Sequence, residues 1–437
     1  VYFIVETKDQ FDCMKPSEEC FIQLICGNDN FHPKLSYPSL LYYHDGNKGY
    51  IFPFKHSETF SLDLKDVENF LSSHKVIYLL DKKYHSYFLD LKNSVDVNFI
   101  RLDQTNSHEF GNCNTILHNN FYSKFHKFPN VNELIPVAKH YEKCRCLYES
   151  VKGFFGLEAN TDFQNRLISA YASVEKNPIK IDQVKFASKY KFVEENYSKI
   201  GEFVLSYYNL YNLTERPTNS FNGINFLAIP KNKDFRECFI SSNDYFVEFD
   251  FDAYHLRLIG NLIGHEWKNA SIHTELGRLY FDKDELTQEE YLESKSITFK
   301  QLYGGINPKY IHIDFFAKLE SYTEDLWESY KKQRAVALPT GRIIKYSPEM
   351  NRLKLFNYLV QNLETVANVS RIERINQYLI DNKLSTKLLL ITYDSFLFDF
   401  SLKDGKNVLL DIKNILESEN MLVKHKYGIN YYLNKIN

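Results

Sequence analysis

The stretch 247–257, Val-Glu-Phe-Asp-Phe-Asp-Ala-Tyr-His-Leu-Arg, constrains the fold more than any other part of the chain. It opens as a hydrophobic alternation of period two, which predicts a strand. Asp250 falls where that strand runs out. After a short polar step, Tyr254, Leu256, Leu258 and Ile259 begin a helical pattern. A carboxylate at a strand end, backed by a helix, can hold a metal ion if partners arrive from elsewhere. A single such aspartate is otherwise an ordinary surface residue.

Two downstream stretches supply partners. Lys295, Phe299 and Tyr303 are spaced four and eight apart, so they share one helix face, ~12 Å long at about 1.5 Å per residue. The face presents a cation, an aromatic plane, then a second aromatic beside the Gly304-Gly305 stop. Further on, apolar runs flank Tyr393-Asp394-Ser395, which predicts a hairpin with Asp394 at its tip. Asp250 and Asp394 become two carboxylates from distant segments on one sheet, an arrangement suited to two-metal phosphoryl transfer.

In this order the three stretches resemble motifs A, B and C of the family A DNA polymerases. More segments agree. Leu213-Thr-Glu-Arg216-Pro-Thr-Asn219, with Gly223-Ile-Asn225 and Ile229-Pro230, resembles the family's Thr-Gly-Arg-Pro-Ser-Asn segment. Arg236-Glu-Cys-Phe-Ile240 resembles its Arg-x-x-Phe strand, and Ser271-Ile-His273-Thr274 its Asp-Ile-His-Thr step. Pro339-Thr-Gly341-Arg342 and Asn357-Tyr-Leu-Val-Gln361 resemble Thr-x-x-Gly-Arg and Asn-x-x-x-Gln. Each motif alone is weak, but the colinear series is strong.

The resemblance implies an α+β right-hand polymerase fold. It implies an RNase H-like, 3′–5′ exonuclease-type domain at 1–130, a thumb at 131–225, a palm at 226–260 and 347–437, and fingers at 261–346. It also implies extension of a primer 3′-hydroxyl with dNTPs on primer-template DNA. Asp250, Asp394 and the Phe251 carbonyl would hold two Mg²⁺ ions, with Mn²⁺ as a substitute. Lys295 and His273 would hold the triphosphate, Phe299 would pack on the incoming nucleotide, and Tyr303 would stack beside the template base. Arg216, Asn219, Arg342, Asn357 and Gln361 would contact DNA. His255 stands where the family has a glutamate that excludes a ribose 2′-hydroxyl.

There are departures. Tyr291 replaces a phosphate-binding arginine, for which Lys300 or Arg278 are candidate substitutes. Tyr393 and Ser395 flank Asp394 where His and Glu are usual, and Asp252 is the nearest acid to compensate. The compact size and these departures point to a phage-type enzyme. A single-subunit RNA polymerase, whose motif C reads His-Asp-Ser, is the alternative enzyme. A non-catalytic DNA-binding relative is the third possibility.

The N-terminal part is expected to keep a nuclease fold without its chemistry. Its strand Phe21-Ile-Gln23-Leu-Ile25-Cys lacks the Asp-x-Glu that such a nuclease needs. In the later segment, Leu80-Asp81-Lys-Lys-Tyr-His85, Asp81 is the sole acid. Short strands at 1–5, 20–26 and 75–80, a hairpin over 39–54 and a helix over 62–73 are expected there. Residues 110–130 read as a polar connection, 132–211 as helical by period with breaks at Asn160-Thr-Asp and Asn177-Pro178, and 409–416 and 427–433 as a helix and a strand.

Composition adds limits. A net charge of −3 over 437 residues counts against a uniformly basic DNA-binding surface, so the cations must be concentrated in one cleft. The 35 Phe and 32 Tyr, with frequent Lys, Asn and Ile, match an A/T-rich codon bias. His108, His118, His126 and His140 are irregularly spaced and read as solvated surface groups. Cys144-Arg-Cys146 is the only close cysteine pair, so reduced thiols in a cytoplasm, the host's for a phage enzyme, are expected. Neither a signal peptide nor an 18-residue apolar run is visible. The chain begins on Val1, as a trimmed or processed product would. Helicase, primase and processivity partners are not legible.

Overall fold

The computed structural model describes residues 3–29, 32–106, 130–158, 160–190, 199–219, 224–268 and 271–435. The segment 110–129, Gly223, His108, His118 and His126 lie outside the described residues. The chain forms two compact units, Val1–Tyr211 with Thr218–Pro230, and Asn212–Pro217 with Lys231–Asn437.

The first unit runs β1 (Phe3–Ile4), α1 (Lys8–Asp12), β2 (Glu19–Cys26), β3 (Pro38–His44), β4 (Gly49–Pro53), α2 (Leu64–Ser72), β5 (Val76–Leu79), α3 (Lys82–His85), β6 (Ser94–Asp96) and α4 (Val97–Thr105). There follow α5 (Val131–Leu134), α6 (Val137–Val151), α7 (Thr161–Glu175), β7 (Ile179–Ile181), α8 (Gln183–Lys189), β8 (Lys199–Ile200), β9 (Phe203–Val204), β10 (Tyr208–Asn209) and β11 (Thr218–Asn219). Its main sheet has the order β1-β4-β3-β2-β5-β6. β2, β3 and β4 form an antiparallel meander, and β5 and β6 continue it in parallel. β2 is apolar on both faces because both are covered. Ile22 and Leu24 join Val67 and Leu71 of α2, while Phe21 and Ile25 join Val137 and Cys144 of α6.

The helical pattern of 132–211 breaks near Asn160 and at Asn177-Pro178, where α7 begins and ends. Past Ile179 only α8 is helical among the described residues, and the other elements are short strands, with Gly201, at φ +56°, in the turn from β8 back onto β9. The N–H of Tyr208 then donates to the buried Glu175 carboxylate at 2.5 Å. His140 is not a surface group either. It is buried, and its Nε2 lies 2.8 Å from the Asn132 carbonyl. Burial lowers its pKa to about 4.

The second unit contains α9 (Lys233–Arg236), β12 (Phe239–Ile240), β13 (Tyr245–Phe251), α10 (Tyr254–Leu262), α11 (Ile272–Phe281), α12 (Gln288–Gly304), α13 (Asp314–Gln333), β14 (Ala335–Ala337) and β15 (Ile343–Lys345). The long helix α14 (Arg352–Asp381), β16 (Lys387–Ile391), β17 (Ser395–Phe400), α15 (Asn407–Leu416), β18 (Val423–Gly428) and β19 (Asn434–Lys435) complete it. Arg236 therefore ends a helical turn, and only Phe239 and Ile240 of its expected strand are extended. An antiparallel sheet of order β16-β17-β13-β18-β19 carries the unit. The C-terminal strand is 423–428, not 427–433. Its register sets Lys424 opposite Asp250 and Lys426 opposite Glu248, pairing opposite charges across the strands. Helices α10, α11, α13 and α14 share one apolar core through Leu256, Leu276, Phe316 and Leu359. Among the described residues, no helix is long and apolar enough to cross a membrane.

Candidate active site

β13 delivers Asp250 at its last turn of alternation. Asp250 pairs with Ser395 in the β13–β17 register, and the Phe251 N–H donates to the Asp394 carbonyl at 2.9 Å. The two aspartates are thus brought side by side. Asp394 opens to solvent, yet the surrounding protein strips enough water to raise its pKa to about 6, and the Asp250 charge adds to the rise. The turn that presents it is constrained. Tyr393 has φ +61°, unusual for a residue with a side chain. Asn368 Nδ2 donates to the Tyr393 carbonyl at 2.9 Å, and the Arg216 guanidinium lies 3.4 Å above the Tyr393 ring.

A cavity of about 1050 Å³ opens over these carboxylates. Asp250, Asp394, Lys295, Phe299, Tyr303, His255, His273 and Arg216 all line it. On α12, Ser294, Thr298 and Leu302 face inward. Phe299 is 47% exposed, so its face is not core packing. Its ring lies parallel to that of Tyr303 at 6.2 Å, and His273 stands 5.9 Å from Phe299. α11 and α12 approach closely at Gly277, where a Cβ would meet Leu286 Cδ1 at 2.5 Å and Ser294 Cβ at 3.1 Å.

His273 supplies a hydrogen bond rather than a charge. Burial, then Lys295, lower its pKa to about 4, and its buried Nδ1 has no partner among the described residues. Lys295 Nζ lies 4.7 Å from the Tyr291 ring centre. Neither Lys300 nor Arg278 lines the cavity, whereas Lys424 and Lys426 do. Lys424 pairs with Asp252, and Lys426 Nζ lies 3.6 Å from Asp250 Oδ2. Asp252 also lines the cavity and is paired with Lys424 and with Arg257.

A further acid on the cavity wall is Glu364 of α14, which is 1% exposed. Its Oε2 is 2.6 Å from His255 Nε2, and its Oε1 accepts from Arg216 Nε at 2.9 Å. His255 Nδ1 meets the Tyr303 hydroxyl. Tyr254, one residue earlier, is buried, stacked on Phe251 and bonded to Asn368 at 2.7 Å.

The remaining expected DNA contacts lie elsewhere. Arg342 is 1% exposed and donates to the carbonyls of Asn212 and Leu213, so it braces the Arg216 segment from inside. Asn219 belongs to the first unit and is buried, with both side-chain polar atoms unpartnered among the described residues. Asn357 and Gln361 are half-buried on α14 and do not line the cavity.

The donor set suits divalent cations of one kind. Adjacent carboxylates, one with a raised pKa, favour an added positive charge. No group of three or more His, Cys, Asp or Glu is placed to hold a metal among the described residues. Two carboxylates suit an ion that retains water and binds substrate phosphate, as Mg²⁺ does. The residues fit.

In the first unit, Asp81 is not alone. The Tyr211 hydroxyl lies 2.6 Å from Asp96 Oδ2 and 3.2 Å from Asp81 Oδ1. Both acids cap helices, Asp81 through Tyr84 N–H at 3.1 Å and Asp96 through Asn98 N–H at 3.0 Å. His85 is buried, accepting from Leu24 N–H at 3.0 Å while Nδ1 meets the Asp81 carbonyl. β2 contributes no acid to this place.

No protein-family model and no curated protein sequence matches the chain. Among solved structures it is similar to one described as the POL domain of Pol1 from M. smegmatis in complex with DNA primer-template and dNTP. The TM-score is 0.65 at 12% identity, over 95% of this chain and 96% of that one. The likeness shows a mixed α/β fold resembling the Pol I polymerase domain.

Proposed function

We propose that the chain is a template-directed DNA polymerase that extends a primer 3′-hydroxyl with dNTPs. The observation that carries this is the convergence, in one cavity, of Asp250, Asp394, Lys295, Phe299 and Tyr303. The fold likeness to a domain solved with primer-template and dNTP supports it. Asp250, Asp394 and the Phe251 carbonyl would hold two Mg²⁺ ions, or Mn²⁺, which supply an acidified 3′-hydroxyl and neutralise phosphate charge. Lys295 and Lys424 attract the triphosphate as point charges, and His273 adds a neutral N–H donor. Phe299 offers a face to base and sugar, and Tyr303 closes the template side. Arg216 reaches the primer terminus.

The second unit holds palm and fingers on this proposal, with α11–α13 as fingers. The thumb is assigned to 131–225, apart from the Arg216 segment. The β2–β6 arrangement, three antiparallel strands continued by two parallel ones, supports an RNase H-like N-terminal domain. Primer extension on one primed template, with dNTPs and rNTPs compared, tests the function. Preferential rNTP use would favour the RNA polymerase alternative, to which Tyr393-Asp394-Ser395 is close. No extension with either would leave a DNA-binding relative.

The N-terminal unit is expected to be inert as a nuclease, since β2 brings Gln23 and Ile25 where a nuclease of this kind has paired acids. Labelled single-stranded DNA should stay intact with Mg²⁺ or Mn²⁺. Degradation that persists in a repurified Asp250→Asn sample would contradict this.

His255 is proposed as the sugar gate, since it lines the cavity five residues after Asp250, in the first turn of α10. His255→Ala removes its bulk and hydrogen bonds. The rNTP-to-dNTP ratio of kcat/KM should rise about tenfold to a hundredfold. An unchanged ratio would remove His255 from the gate.

A further inference from the structure

Glu364 is a buried carboxylate with two cationic or polar clients, and each leads to a different wall of the cavity. Through Nε2, His255 is fixed with its other nitrogen toward the Tyr303 hydroxyl. Through Nε, Arg216 is fixed with its plane over Tyr393, the residue before Asp394. In the neutral imidazole, Nε2–H donates to the carboxylate, which leaves Nδ1 to accept from the tyrosine O–H. Rotating the imidazole would take its donor from the buried Glu364 Oε2.

We propose that Glu364 is a positioning residue that locks the His255–Tyr303 wall and the Asp394 turn into one unit, and so sets sugar selectivity without touching the nucleotide. This rests on the polymerase function proposed above. In the neutral variant Glu364→Gln, the carbonyl oxygen can take only one of the two places that Oε1 and Oε2 hold toward Arg216 and His255, and the amide NH₂ faces the other. The amide can also donate to Nε2, which would reverse the imidazole tautomer and turn Tyr303 out of register.

The test is a double-mutant cycle of Glu364→Gln and Tyr303→Phe, read as the dNTP-to-rNTP ratio of kcat/KM. Each single change should lower the ratio about tenfold. The double change should lower it no further than either alone, since both break the same chain of contacts. Multiplicative losses would overturn the proposal, as would a Glu364→Gln ratio equal to that of wild type. Histidine ¹⁵N spectra of the full chain provide a second measurement, with His255 assigned by its loss in His255→Gln. The wild type should show the Nε2–H tautomer and Glu364→Gln a shifted signal, and an unshifted signal counts against Glu364. A wild type that extends no primer fails the polymerase assignment, yet the spectra still decide whether Glu364 sets the imidazole.

Discussion

Asp250→Asn or Asp394→Asn should each cut single-turnover primer extension by ~10³-fold or more while duplex affinity changes little. Each carboxylate acts on charge that develops during transfer, not on the duplex. Losing several kcal/mol of such stabilisation costs tenfold for about every 1.4 kcal/mol. Misfolding would not explain the loss. Burial and the charge of Asp250 raise the pKa of Asp394, so in the metal-free protein a neutral Asn relieves repulsion. The variants should melt no lower than wild type, a form of the trade between activity and stability. Extension assays run beside fluorescence anisotropy on labelled primer-template check both halves. Near-normal extension by either variant would take that residue out of the site.

Lys83→Met should destabilise the first unit by about 3–5 kcal/mol, the usual cost of stripping one partner from a buried ion pair. Lys83 is 1% exposed, and its Nζ meets Glu175 Oε1 and the Tyr208 carbonyl, each at 2.5 Å. The Tyr207 ring covers it at 3.5 Å. Glu175 is fully buried. Burial pushes its pKa up and Lys83 opposes this. Without the lysine, the carboxylate must either stay charged in a dry site or take a proton. Adding Glu175→Leu should recover only part of the loss, because it removes the unpaired buried charge but leaves the Tyr208 N–H and the Tyr87 hydroxyl without their acceptor. Urea denaturation of the full chain, following the first unit's transition, measures it. An unshifted midpoint in Lys83→Met would show that the pair contributes nothing.

Local pattern makes much of the second unit legible. Period two ends at Asp250, period 3.6 aligns Lys295 with Phe299 and Tyr303, and a short polar interruption marks Asp394. Each of these signals lies within a few neighbouring residues. Glu364 offers none. It sits on a helix like any other glutamate, and its partners Arg216 and His255 are 148 and 109 residues away. The lysines of β18 escape notice for a similar reason. A strand that alternates lysine with histidine and tyrosine looks like surface until its register with Asp250 is known. The short strands around Gly201 cannot be told from helix in the sequence, because two- and three-residue pieces carry no reliable period. Asp81 and Asp96 need the fold to bring them under Tyr211.

The capped state of Asp81 and Asp96 bears on how copying mistakes would be handled. In a polymerase whose N-terminal unit has no hydrolytic centre, a mispaired primer end could only be extended, abandoned or passed to another protein. Accuracy would then be decided in a single step, at the wall formed by His255, Phe299 and Tyr303, and the mutation rate of whatever such a polymerase copies would follow from the fit of that wall.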